Sequence, residues 1–190
     1  MKVFENTVPL RRSQLDKVNS YIVHSIIEKI VCRNSDNELT SYSYDPKIDT
    51  DSNEINVLVR SMESVGLPGE REIEHSFTNG DVIDFEVNYV PIKIDFESKR
   101  KVYVSNSIER AVKLYKYLER AGLYVDFAEE LSQEKRFFNK KHKHKFFINS
   151  ALCRVVAKIK DKVEFEKAYA HGLGKKCGFG YGMIQIKEFI

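Results

Sequence analysis

Apolar positions recur along this chain with two periods, one close to 3.6 residues and one of 2, and the switches between them mark out the elements. From Leu15 onward, Val18, Ile22, Ile26 and Ile30, flanked by Val23 and Ile27, stand at helical spacing and define one buried face. Ser13 or Asp16 is the candidate cap. At about 100° per residue, Lys17, Tyr21, His24 and Glu28 fall on the opposite side, which puts a tyrosine and a histidine on the solvent face with no packing duty. A second helix is predicted from Ser107, its cap, with Ile108, Val112, Leu114, Tyr115 and Leu118 on one face and Gly122 as the stop. A third covers residues 162–170.

Strands are read at residues 3–8, 39–44, 55–62, 73–77, 82–94 and 146–159, with a final short one at 183–186. The Asn79-Gly80 pair turns the chain, the segment from Gly66 to Gly69 breaks it, and residues 45–53 form an acidic loop that would repel a polyanion. A hairpin pairs residues 87–94 with 101–104. The first half is thus β-α-β-β with a degraded second helix, and the second half repeats the order loosely, without sequence self-similarity. The simplest architecture is α+β: two tandem ferredoxin-like (β-α-β-β-α-β) units, residues 1–88 and 89–190.

Composition narrows the function by exclusion. With 42% hydrophobic and 31% charged residues the chain is of ordinary globular type, and no apolar run approaches the roughly 20 residues of a membrane span. The N-terminal residues lack a signal peptide's apolar core, so a cytoplasmic protein with no membrane partner is expected. Cys32, Cys153 and Cys177 are scattered and unpaired in spacing, which favours neither a disulfide frame nor zinc. A net charge of +3 is too small to imply a polyanion partner, but its distribution is uneven. Residues 135–145 read Lys-Arg-Phe-Phe-Asn-Lys-Lys-His-Lys-His-Lys, followed by Phe146 and Phe147. Cations mixed with aromatics suit an RNA surface, with Lys140, Lys141, Lys143 and Lys145 facing phosphates and about half of the phenylalanines buried by period-2 alternation. His142 and His144 join this basic surface; no acidic or cysteine partner stands near them, so no metal site and no cofactor is expected. His75 reads as structural, and His171 abuts the next feature.

That feature is a run from His171 to Gly182 that holds five of the nine glycines around Lys175 and Lys176. Glycines so spaced permit positive φ and close backbone approach, so N–H groups at Gly172, Gly174, Gly180 and Gly182 would seat a phosphate between the two lysines. The run is not a P-loop, which needs Gly-x-x-x-x-Gly-Lys-Ser/Thr, and it follows a helix rather than a first strand, which excludes the dinucleotide fingerprint. A glycine-rich turn into the last strand is the plainer alternative.

The pattern Gly172-Leu173-Gly174, five residues, Gly180-Tyr181-Gly182, followed at once by an apolar strand, resembles the signature of the CRISPR repeat-processing endoribonucleases, and the flanking segments are most similar to the CasE subtype of type I-E systems. Members of that subtype carry Tyr-x-x-His on the first helix, matched here by Tyr21-Ile22-Val23-His24. Asn88-Tyr89-Val90-Pro91-Ile92-Lys93 resembles the family's Arg-Ala-Asn-Pro-x-Lys; Pro91 and Lys93 match, whereas Asn88 and Val90 depart from it. In the family the following hairpin engages the RNA stem, which points to Lys93, Lys99, Arg100 and Lys101.

The resemblance implies a tandem ferredoxin-like fold and a metal-independent endoribonuclease. It would cut CRISPR precursor RNA within the repeat by 2′-hydroxyl attack, leaving 2′,3′-cyclic phosphate and 5′-hydroxyl ends. Its implied partners are the repeat stem-loop and the other subunits of the Cascade complex. His24, of a residue type that titrates near pH 6.5, would be the base, and Tyr21 would orient the 2′-hydroxyl or donate to a phosphate oxygen. A third catalytic group, Lys17 or a lysine of the glycine run, stays open. Two other readings compete: a guide-RNA-binding subunit that does not cut, and a ferredoxin-like RNA-binding protein outside CRISPR systems.

Overall fold

The computed structural model describes residues 1–11, 19–34, 42–48, 54–140 and 144–190. The chain runs β1 (Lys2–Arg11), α1 (Ser20–Asn34), β2 (Tyr42–Ile48), β3 (Glu54–Ser61), β4 (Arg71–Glu74), β5 (Val82–Tyr89), β6 (Ile92–Ile94), β7 (Lys101–Tyr103), α2 (Ser107–Arg120), β8 (Leu123–Lys140), β9 (His144–Ile159), α3 (Lys162–His171) and β10 (Gln185–Phe189). One four-stranded sheet has the order β2-β3-β1-β4, the other β10-β5-β9-β8, and β6 pairs with β7 alone. Read from opposite edges the two orders are equivalent, and the strand pairings among the described residues are antiparallel throughout. The expected tandem of ferredoxin-like units is therefore the observed fold. Between β3 and β4 the chain makes only bends and turns, in place of a second helix.

Alternation explains each sheet's inner face. Ile55, Val57 and Val59 of β3 point with Val23, Ile27 and Val31 of α1 into one core, while Ile83, Phe85 and Val87 of β5 and Val155, Ala157 and Ile159 of β9 point into a second core under α2 and α3. Each large apolar side chain so buried contributes about 1.5–3 kcal/mol. A third, smaller cluster of Val90, Phe138, Ile148 and Tyr181 takes in Tyr21 from α1 and Phe179, joining the units. Arg60 of β3 fastens them from inside: its guanidinium pairs with Glu5 at 2.7 Å, donates to the carbonyls of Tyr169 and Ile184, and lies 3.7 Å over the Tyr169 ring. A buried arginine satisfied in this way holds its partners firmly, because an unpaired charge there would be costly.

The structure departs from the expected elements in several places. The boundary at residue 88 falls inside the second sheet's own strand: β5 is bonded to β9 and β10, so the second unit starts by Val82. Residues 82–94 are two strands, because Pro91 lacks the N–H a sheet ladder needs. Asp45 belongs to β2 and accepts a hydrogen bond from Gln185 at 2.5 Å, so the acidic loop does not begin there, and residues 49–53 lie outside the described residues. The buried stripe of α2 is Arg110, Leu114, Tyr117 and Leu118, while Ile108 is 74% exposed, with Val112 and Tyr115 also outward. The stripe is rotated because Glu130 neutralises the Arg110 guanidinium at 2.7 and 2.8 Å, and a charged residue thus sits where an apolar one was sought. Asn106, rather than Ser107, caps this helix, accepting from the Glu109 N–H at 3.0 Å. The last strand starts at Gln185, since Met183 and Ile184 are buried ahead of it. Among the described residues no helix is long and apolar enough to cross a membrane.

Candidate active site and nucleic-acid interface

α1 starts against β8 because Asn19 holds both. Its carboxamide oxygen accepts from the N–H of Tyr21 at 3.1 Å and from that of Asn139 at 2.8 Å, and its amide donates to the Asn139 carbonyl at 2.7 Å. An asparagine in this position caps the helix and fixes its entry angle. One turn on, His24 meets the second unit. Its ring stacks on Phe179 with centroids 4.7 Å apart and 29° between planes, and Tyr21 meets it edge-on at 5.8 Å. Phe179 lies in a single 3₁₀ turn, Cys177–Phe179, between two residues in the left-handed region, Lys176 at φ 67° and Gly180 at φ 81°.

The side chain of His24 is 13% exposed, so the expected solvent face is in fact the seam between the units. A single helix read alone has an outside; the second unit covers it. The buried Nδ1 has no hydrogen-bond partner among the described residues, and Nε2 stands 3.8 Å from the Glu28 carboxylate. Burial lowers the imidazole's pKa below its usual 6.5, aided weakly by Lys140 and opposed by Glu28 and the Gly178 backbone. His24 is accordingly neutral at neutral pH, as a general base must be. Two ammonium groups flank the ring pair: Lys140 Nζ lies 5.7 Å from the Tyr21 ring, and Lys176 Nζ lies 5.1 Å from Phe179 and 5.9 Å from Phe146.

The glycine run has a different use from the one its spacing suggests. The N–H of Gly172 donates to Ala168, that of Gly180 to Cys177, and that of Gly182 to Asn88, so these three donors are spent inside the protein. What forbids a side chain is close packing. A Cβ on Gly182 would lie 2.3 Å from the Leu173 carbonyl oxygen, one on Gly180 2.6 Å from the Tyr44 ring, and one on Gly174 3.0 Å from Tyr117. The run folds back on itself and wedges between the units, carrying Lys175, Lys176 and Phe179 on its surface.

Elsewhere the expected cations divide. Arg100 and Lys101 are exposed on the β6–β7 hairpin; Lys99, at φ 55°, holds its ammonium 4.1 Å over the ring of Phe96, itself 85% exposed. Lys93 is engaged by Glu109 at 2.6 Å. Lys140 and Lys145 are exposed on β8 and β9. Lys17, Lys141, His142 and Lys143 lie outside the described residues, as do Ser13 and Asp16. Of the four phenylalanines, Phe138 is buried, Phe137 and Phe146 are half-buried, and Phe147 is 57% exposed. His75 is structural, as expected: it stacks on Phe77, and its Nε2 is 2.9 Å from the Tyr169 hydroxyl. Sequence reasoning missed Phe179; its place between the two glycine triplets was the available signal. Among the described residues no three His, Cys, Asp or Glu side chains gather as metal ligands would.

No curated protein matches the chain by sequence. Solved structures resemble it over their whole length: Thermus thermophilus Cse3 bound to an RNA representing a pre-cleavage complex, with a TM-score of 0.81 at 15% identity over 98% of this chain and 99% of that one; Cas6e from Escherichia coli K-12, with 0.73 at 17% identity over 98% of both chains; and a chain of a CRISPR RNA-guided surveillance complex, with 0.71 at 13% identity over 98% of this chain and 100% of that one. At such identities the likeness speaks for the fold. A family model described as CRISPR associated protein matches residues 11–188, nearly the full length, and the chain therefore belongs to the CRISPR associated protein family.

Proposed function

We propose that this protein is a metal-independent endoribonuclease that cuts CRISPR precursor RNA within the repeat and stays bound to the mature RNA in a Cascade-type complex. The observation that carries the reading is His24: an imidazole desolvated at the seam between two units, neutral at working pH, beside a tyrosine and between two lysines. The structural neighbours support it, since Cse3 is called a CRISPR endoribonuclease and was captured with RNA, and another belongs to a surveillance complex.

In the proposed mechanism Nε2 of His24 takes the proton of the 2′-hydroxyl, since Nδ1 is shut in. The 2′-oxygen attacks the adjacent phosphorus, the P–O5′ bond breaks, and the 5′-oxygen leaves with a proton from solvent or a neighbouring acid. Glu28 stabilises the imidazolium that forms, and Tyr21 orients the 2′-hydroxyl. Lys140 and Lys176 offset the charge gathering on the phosphoryl oxygens, the electrostatic contribution to such catalysis. Lys93, Lys99, Arg100, Lys101, Lys145 and Lys175 hold the RNA backbone, joined by Lys141 and Lys143 from outside the described residues.

The test is single-turnover cleavage of the repeat hairpin by the wild type and by His24→Ala, together with a substrate carrying one 2′-deoxy sugar at the cut site. The deoxy substrate should resist cutting, and excess EDTA should leave the rate unchanged. Cleavage of the deoxy RNA, or activity lost to chelator and restored by magnesium, sinks the mechanism. One observation favours a second reading, an RNA-holding subunit that does not cut: Phe179 covers one face of the imidazole. Binding without cleavage by the wild type would select it.

A further inference from the structure

Between the β6–β7 hairpin and one edge of β9 lies a cavity of about 200 Å³ that shares only Lys176 with the proposed catalytic site. It exists because the strands of the second sheet differ in length. β5 pairs with β9 only as far as Tyr89 opposite Ala151, whereas β8 and β9 continue together to Lys140 opposite His144. Along residues 146–149, β9 thus has β8 on one edge and, among the described residues, no strand on the other. Pro91 turns the chain out of β5 and into the hairpin, which stands across the gap.

The lining has a definite chemistry. Ile92 and Tyr103 form the hairpin wall, Phe146 and Asn149 border the cavity from the two faces of β9 at that strand's free edge, and the exposed Lys101 and Lys176 stand among them. Among the described residues no carboxylate lines the cavity. Aromatic and aliphatic walls suit a flat base, a carboxamide offers both a donor and an acceptor to a base edge, and two cations suit the phosphates on either side. A duplex is too wide to enter. We propose that this cavity takes one unpaired nucleotide of the repeat RNA, its base against Phe146 and Tyr103 and its polar edge on Asn149, with the flanking phosphates on Lys101 and Lys176.

The proposal rests on the endoribonuclease reading and adds to it a device for choosing where to cut. Phe146 stands 6.0 Å from Phe179, which stacks on His24 at 4.7 Å. A nucleotide seated here is therefore a near neighbour of the one whose 2′-hydroxyl reaches His24. Capturing its base sets the register of the strand across the imidazole.

The experiment measures affinity for the repeat hairpin made uncleavable by a 2′-deoxy sugar at the mapped cut site, with a single abasic position moved through the unpaired nucleotides. The proteins are the wild type, Asn149→Ala and Phe146→Leu, the last keeping apolar volume in the cluster. One abasic position should cost the wild type about 5- to 150-fold in affinity. That position should cost each variant much less, because the variant no longer grips the base. A flat scan on a tightly binding wild type overturns the pocket and leaves the endoribonuclease reading standing. A penalty kept in full by both variants also overturns it, since the base is then held elsewhere. A wild type that does not bind the unmodified hairpin overturns the endoribonuclease reading, and the pocket with it.

Discussion

The seam around His24 and the tip of the β6–β7 hairpin both carry residues proposed to act on RNA, and they are built on opposite principles. At the seam, side chains from α1, β8, β9 and the glycine run close over one imidazole, and burial is what adjusts its proton affinity. At the tip, Phe96, Lys99, Arg100 and Lys101 stand in solvent on a short ribbon that pairs only with itself. A general base must be desolvated and placed to a fraction of an ångström, which only a crowded interface achieves. Phosphate neutralisation asks only for mobile charge near the surface, and screening by salt is its signature.

The sharpest break between the two regions is expected from His24→Ala, which should lower the single-turnover rate by about 10²- to 10⁴-fold while affinity for the hairpin is nearly retained. Equal losses in rate and affinity would place the histidine in binding instead. Next in size come the glycines that form the seam. Gly182→Ala forces a Cβ against the Leu173 carbonyl at φ 81° and should destabilise the fold by about 3 kcal/mol or more, read as a lower urea midpoint. Gly180→Val, crowding Tyr44, should likewise lose stability, and any loss of RNA binding should track the loss of fold. A normally stable Gly180→Val protein that fails to bind RNA would restore the backbone-seat role.

Phe179→Ala should produce a smaller and more telling change. Burial penalises the protonated imidazole, so uncovering the ring should raise the pH at which the rate falls on the acid side, back toward 6.5. Phe179→Leu, which still covers the ring, should leave that inflection near its wild-type position, and an unmoved profile in the alanine variant would separate Phe179 from the base. The same sign governs stability. A folded His24 that resists protonation favours folding above the unfolded value of about 6.5, and the advantage is lost as the pH falls through its folded value. The smallest effect is expected at the tip. Replacing Lys99 and Arg100 together with alanine should flatten the salt dependence of affinity by about 0.7–0.9 in log-log slope for each phosphate no longer neutralised. The cleavage rate at saturating RNA should hold; an unchanged slope removes the hairpin from the interface.

What could be read in the sequence follows the same division. Tyr21, His24 and the glycine triplets stand at fixed spacings, so a resemblance located them, and alternation located the strands with one wet and one dry face. β8 was missed because its middle, Glu129 to Lys135, is exposed throughout and shows no alternation. The burial of His24 was invisible because its cover, Phe179, is 155 positions away in the chain, and periodicity is a local property. The glycines were noticed for sound reasons, and close packing supplies a cause that their spacing does not reveal. A missing side chain looks the same in a sequence whether the space is left for a ligand or for the protein's own Tyr44 and Leu173.

The stack of Phe179 on His24 also makes timing a property of the chain. The ribosome makes His24 well before its cover, 155 positions further along, so a growing chain carries the histidine bare until Phe179 is made. Only when Phe179 has emerged and the glycine run has folded back can the stack on His24 form.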